Sequence, residues 1–282
     1  MKGRKAQALV LTLWIVLTLT VLAINTGHSV SIGLRLANYT RDRLISFAQA
    51  KSALSAALRQ IRNDPEAAIG ASDKNWSIVD EDRKININSA PRELLIALFE
   101  EYGIAQPQET ADNLLIWRGE KPDNSGVYLA AGYPCKGAPL SVFEELACIK
   151  GLSRNSVEPF REAVTLAGTG KFNLNTVPAR TLKVLARGCA KELGIDEQFA
   201  ASVSDKLVQS REYKGHFQDA NDLELAATGA EETAVLNELL KNAVYKSDYF
   251  SIEARGIVSK ITCTLKAVYN RNTNSFLYWH ES

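Results

Sequence analysis

The sequence predicts an α+β protein in which a long N-terminal helix packs on a small antiparallel sheet and carries a large α-helical insertion of two related units. Three observations lead there. The first sixty-four residues are proline-free and open with an apolar run. The stretch KININSAP (Lys84 to Pro91) returns 87 residues later as KFNLNTVP (Lys171 to Pro178). After residue 248 the chain turns to alternating β-formers.

At 282 residues the chain is long enough for two modest cores, and a net charge of +1 asks for no nucleic-acid partner. Lys2, Arg4 and Lys5 precede Ala8 to Ile24, seventeen residues without a charge. Basic residues before the run and none directly after it predict a cytosolic N-terminus and a remainder across the membrane. A removable secretory signal, cut after position 23 beside the small residues Val21 and Ala23, is the competing reading. Against it, the following stretch places Leu44, Phe47, Ala48, Leu54, Leu58 and Ile61 at helical spacing until Asp64-Pro65 stops it. One unbroken helix is expected, with its upper half covered by a soluble domain.

Beyond Pro65, AAIGASDKN reads as a loop and WSIVDEDRKININ as two short strands around a polar hairpin turn, Asp80-Glu81-Asp82. In both copies of the repeated stretch apolar residues alternate (Ile85, Ile87; Phe172, Leu174). Ser89 or Thr176 then stands two residues before a proline, which makes each copy a strand-to-helix junction. The resemblance between the copies continues, with LLIWR (Leu114 to Arg118) matching KLVQSR (Lys206 to Arg211). FEELACIKG (Phe143 to Gly151) likewise matches ANDLELAATG (Ala220 to Gly229), a degenerate tandem repeat. Phe172 to Asn175 is expected either to visit the main sheet or to pair with the first repeat strand. DYFSIEARGIV, ITCTLKAVYNR and SFLYWH predict closing strands, which with those before residue 88 most economically form one antiparallel sheet on the upper helix.

Cys135 and Cys148 are the candidate disulfide of an exported chain, a closed loop worth about 3 kcal/mol in the chain-entropy model; Cys189 and Cys263 stay open between pairing and burial. No Cys/His spacing suggests zinc. His28, His216 and His280 are scattered without a nucleophile elbow or metal triad, so no catalytic residue is assigned and an enzyme is not expected. LAGTGKF has a phosphate-loop flavour, but Thr165 stands where the first glycine belongs and Phe172 where Ser or Thr should bind magnesium.

A basic leader, a hydrophobic helix continuing into an amphipathic one, a small sheet and the doubled NxN-[ST]-x-P junction together resemble the type IV pilin-like family. Within it, the inserted helical pair is similar to that of the K-type minor pseudopilins of type II secretion systems (general secretion pathway protein K). The resemblance implies a prepilin leader at 1–6, cut by prepilin peptidase between Ala6 and Gln7, with Ala6 departing from the family's usual glycine. It further implies helix and first strands over 7–88, helical repeats over 89–170 and 171–245, and closing strands over 246–282. Leu11 falls at the fifth mature position, where most pilins carry a glutamate that K-type subunits lack; a buried carboxylate there would be costly without a partner charge. The implied function is a minor pseudopilin at the pseudopilus tip, nucleating assembly and supporting export of folded proteins. Implied partners are the I-type and J-type minor subunits, the major pseudopilin, the inner-membrane assembly platform and prepilin peptidase. The implied location is the bacterial inner membrane, single-pass, with the C-terminal domain in the periplasm. Family members often place several acids after the WR-like position; here WRGEKPDNSG offers Glu120, Asp123 and Asn124 as weak calcium candidates beside a solvated-loop reading.

Two rivals share parts of the pattern. A minor pilin of a type IV pilus differs chiefly in its partners. A membrane-anchored, competence-type helix-hairpin-helix DNA-binding protein would hold phosphates on its glycine hairpins. Here that hairpin reads IKGLSRNSV, with Ser153 in place of a second glycine. From Ser89 to Thr169 seven basic residues face eleven acidic ones, and from Thr176 to Tyr245 eight face eleven, a balance that opposes phosphate binding.

Overall fold

The structure is a computed structural model and describes residues 2–123, 126–130 and 132–282. Helix α1 (Lys2–Asn63) runs 62 residues, about 90 Å at 1.5 Å per residue. It ends where predicted. Asp64 Oδ1 accepts the amides of Glu66 and Ala67 at 3.1 and 3.0 Å, and Pro65 opens the short α2 (Pro65–Ala68).

β1 (Ser72–Asp73), β2 (Trp76–Asp80), β7 (Tyr249–Val258), β8 (Ile261–Asn270) and β9 (Ser275–Glu281) form, among the described residues, a five-stranded sheet in the order β1-β2-β7-β8-β9. Every pair is antiparallel. One face is dry: Phe250, Ile252 and Ala254 alternate along β7, and Cys263, Leu265, Ala267 and Tyr269 along β8, all buried toward α1. Full burial of a side chain such as Phe250 or Leu265 stabilises by about 1.5–3 kcal/mol each. The face α1 offers in return is narrower than the sequence suggested. Ser46, Ala50, Ala53, Leu54, Ala57 and Ile61 are buried, whereas Leu44 is exposed. Small residues dominate because the backbones nearly touch: a Cβ on Gly256 of β7 would lie 1.9 Å from Ser46 O and 2.7 Å from Ala50 N.

Between β2 and its neighbour β7 the chain leaves the sheet and makes two helical units. The first comprises β3 (Ile85–Asn86), α3 (Arg92–Glu101), α4 (Pro107–Trp117), α5 (Val127–Ala130), α6 (Arg154–Val157) and β4 (Val164–Thr165). The second comprises β5 (Phe172–Asn173), α7 (Ala179–Leu193), α8 (Glu197–Lys214), α9 (Ala230–Lys241) and β6 (Ala243–Val244). Each opening strand pairs in parallel with the closing strand of its own unit, Ile85 opposite Val164 and Phe172 opposite Ala243. This corrects the expectation for Phe172 to Asn175: β5 joins neither the main sheet nor β3, because β6 lies in reach at the end of the same unit. The units share one apolar core from Ile85 to Leu239 and press together at Gly188 of α7, where a Cβ would lie 2.9 Å from Leu94 Cα. Arg187 and Lys191 reach Glu100 at 2.8 and 3.1 Å across the same seam.

The Gly256 crossing yields a direct test. Gly256→Val should lower thermal stability by about 1–3 kcal/mol or more, since the clash is with backbone rather than a movable side chain. Gly33→Ala, at a helical glycine with nothing within 4 Å of its ideal Cβ, should leave the melting temperature of the detergent-solubilised chain unchanged or slightly raised.

Candidate assembly site

The repeated NxN motif builds the same clamp twice. Asn86 Oδ1 accepts Asn88 N at 2.9 Å, and Asn173 Oδ1 accepts Asn175 N at 2.9 Å, each an Asx-type turn out of the strand. The second asparagine then grips a distant segment in both directions. Asn88 Nδ2 donates to Leu140 O (2.9 Å) and its Oδ1 accepts Leu140 N (2.8 Å); Asn175 Nδ2 donates to Phe217 O (2.9 Å) and its Oδ1 accepts Phe217 N (2.8 Å). An arginine closes each junction: Arg118 donates to Ile87 O and Ala90 O at 2.6 and 3.1 Å, and Arg211 to Leu174 O and Val177 O at 3.1 and 2.7 Å. These are the last residues of the matched LLIWR and KLVQSR segments. Their alignment was legible, but not what they bind.

Where the insertion leaves the sheet, Asp80, Glu81 and Asp82 are all buried. The predicted hairpin turn is not there, because β2 and β3 belong to different sheets. Asp80 instead accepts from Asp82 N (2.8 Å) and from Thr176 Oγ1 of the second unit. Asp82 Oδ2 accepts Asp248 N and Tyr249 N at 2.9 and 3.2 Å, and its carbonyl accepts Asn173 N at 2.8 Å. Asn173 Nδ2 donates to Ser247 Oγ at 2.6 Å. Burial pushes both aspartates up: Asp82 to about 7, helped by the charge of Asp80 and resisted by the two amides, and Asp80 in the same direction against its own hydrogen bonds.

Opposite the insertion, α1 is exposed on every side from Val10 to Arg41 and is the one described helix long and apolar enough to cross a membrane. Beside its upper part lies β9, one edge of the sheet, with Phe276, Leu277, Tyr278 and Trp279 partly exposed and Glu281 paired to Arg43 of α1 at 3.3 Å.

No family profile and no curated protein matches the sequence. Among solved structures, the chain is similar to a chain of the GspK-GspI-GspJ complex from the type 2 secretion system of enterotoxigenic Escherichia coli. The TM-score is 0.61 at 15% identity, over 86% of this chain and 99% of that one. This chain has that pilin-like fold.

On the pilin-like frame the sequence-selected residues fall in separate places. Ala6 and Gln7 lie in the first turns of α1, and Leu11 follows one turn later with its side chain 63% exposed. All four cysteines, each among the described residues, are free thiols. In the structure Cys135 and Cys148 are engaged apart from one another: Cys135 Sγ donates to Ile116 O at 3.3 Å, and the chain at Cys148 is held by Tyr133, whose hydroxyl donates to Cys148 O at 2.6 Å. The two described calcium candidates are each engaged within the chain. Glu120 pairs with Arg118 at 2.6 Å, Asp123 caps α5 by accepting Val127 N and Tyr128 N, and Asn124 lies outside the described residues. Among the described residues no group of three or more His, Cys, Asp or Glu side chains could hold a metal. The hairpin glycine of the first unit has an internal reason as well: a Cβ on Gly151 would lie 2.2 Å from Thr110 Oγ1.

The clamps predict matched losses. Asn88→Ala and Asn175→Ala each strand a buried amide pair and should cost about 1–3 kcal/mol in chemical denaturation, with the two losses similar in size. A large loss at one site with none at the other would show that the two junctions are not equivalent.

Proposed function

We propose that the chain is a K-type minor pseudopilin that occupies the tip of a type II secretion pseudopilus. The observation that carries this reading is the two-unit helical insertion set between β2 and β7 of a pilin-like body, in a chain whose fold matches a chain of a GspK-GspI-GspJ complex over 99% of that chain's length. The insertion springs from the far end of the sheet, beyond the C-terminal end of α1, where Lys246 reaches Glu66 at 3.3 Å. A mass placed there leaves no room for another subunit to stack above, which suits an end position.

In this reading the exposed apolar length of α1 packs against the helices of I-type and J-type minor subunits and of the major pseudopilin, and its lower part rests in the inner membrane. The body and insertion stand in the periplasm. Leu11 fits the same place: a terminal subunit has no neighbour whose amino terminus must be neutralised, and an unpaired carboxylate in lipid would cost several kcal/mol. The chain contributes geometry and contact surface to the assembly of the pseudopilus and to protein export, with no catalytic step of its own.

Co-expression with and without prepilin peptidase tests the reading. A new N-terminus at Gln7, present only with the peptidase and N-methylated, is expected, together with co-purification of the full chain from membranes with I-type and J-type subunits. A peptidase-independent start near Ile24, or a chain that ignores both partners and binds duplex DNA, would overturn it.

A further inference from the structure

The joint between the insertion and the body is built from acid groups where amides or apolar packing would serve. Asp80 and Asp82 stand two residues apart, each nearly out of solvent, and between them they take hydrogen bonds from the second helical unit (Thr176 Oγ1), from the start of β7 (the amides of Asp248 and Tyr249) and from their own loop. We propose that this buried aspartate pair is a proton-operated latch, which holds the helical insertion against the pilin-like body while it shares a proton and loosens when that proton leaves.

The charged and titratable surroundings support this. On the same segment are Glu81 and Lys84, which neutralise one another at 3.0 Å, and Arg83, whose Nε is buried without a partner. The entry to β7 brings Asp248, already paired with Arg271 at 2.9 Å, and Tyr249. The helical units bring only neutral groups to the pair: Thr176 and Asn173, with Gly168, whose ideal Cβ would lie 3.5 Å from Asp82 Oδ1. No cation is therefore bonded to either carboxylate among these contacts, and the negative charge of Asp80 favours a proton on Asp82. One proton on the pair removes the repulsion between them while Asp82 Oδ2 still accepts both amides.

The direction with pH follows. Asp82 is raised from 3.8 to about 7 by burial, so between those values the folded chain keeps a proton that the unfolded chain has released. The latch is tightest at the low end of that window. It weakens as pH rises through about 7 and changes little above.

Hydrogen exchange of the full chain in detergent micelles, corrected for the intrinsic pH dependence of exchange, reads this out between about pH 5.5 and about pH 8.5. Segments containing Asp248 and Tyr249 and those containing Asn173 to Thr176 should lose several-fold protection as pH rises, while the middle of β7 and β8 stays unchanged. Asp82→Asn should flatten the profile. A wild-type profile that is already flat, or an equal fall in Asp82→Asn, would overturn the proposal. If that variant does not fold, infrared difference spectra of the wild type with carbon-13-labelled aspartate decide alone. A protonated carboxyl band lost near pH 7 supports the latch, and its absence above about pH 5.5 refutes it.

Discussion

The place where β7 crosses α1 sets the rest of the molecule. At Gly256 the two backbones meet with no side chain between them, and only a helix face of Ser46 and Ala50 permits it. Close approach lets Phe250, Ile252, Leu265 and Ala267 reach the helix from a single sheet layer, so a small body closes a dry core without a second layer. It also fixes the height at which the sheet grips α1, and hence how much of the helix below is left bare.

Everything distal is hung from that grip. The insertion shares an apolar core of its own, separate from that of the body, and the two meet chiefly through polar contacts at Asp80, Asp82, Asn173 and Ser247. A polar joint between two dry cores is specific in direction, since each hydrogen bond must be met, but contributes little apolar burial. Inside the insertion the asparagine clamps do the equivalent task, holding the backbone at Leu140 and Phe217, which no helix or strand ladder serves.

Much of this was legible beforehand. The break at Asp64-Pro65, the order of elements and the doubled NxN junction could be read because helix stops, turn chemistry and repeats are local signals. What escaped was of long range. Asp80 and Asp82 looked like a solvated turn because their partners, Thr176, Asp248 and Tyr249, lie far along the chain. β5 found its mate in β6, a two-residue strand too short to announce itself by alternation. Part of the buried stripe of α1 escaped for a related reason. Leu54 and Ile61 are buried as expected and Phe47 and Leu58 pack beside them, but at the crossing the sheet takes Ser46 and Ala50 in place of Leu44 and Ala48, because Gly256 has no side chain there. Cys135 and Cys148 shared a segment, yet their neighbourhood is organised around Tyr133 and Ile116.

The insertion leaves from Asp80 and returns at Tyr249, and Asp80 stands opposite Phe250 on neighbouring strands. For folding, this means that the central pairing of the sheet would otherwise have to close a loop of well over a hundred residues. Each helical unit instead closes on its own short parallel pair, from β3 to β4 and from β5 to β6, and so can form from nearer contacts. Once both have formed, the ends of β2 and β7 are already side by side. The insertion thus serves as the template on which the sheet that carries it can zip shut.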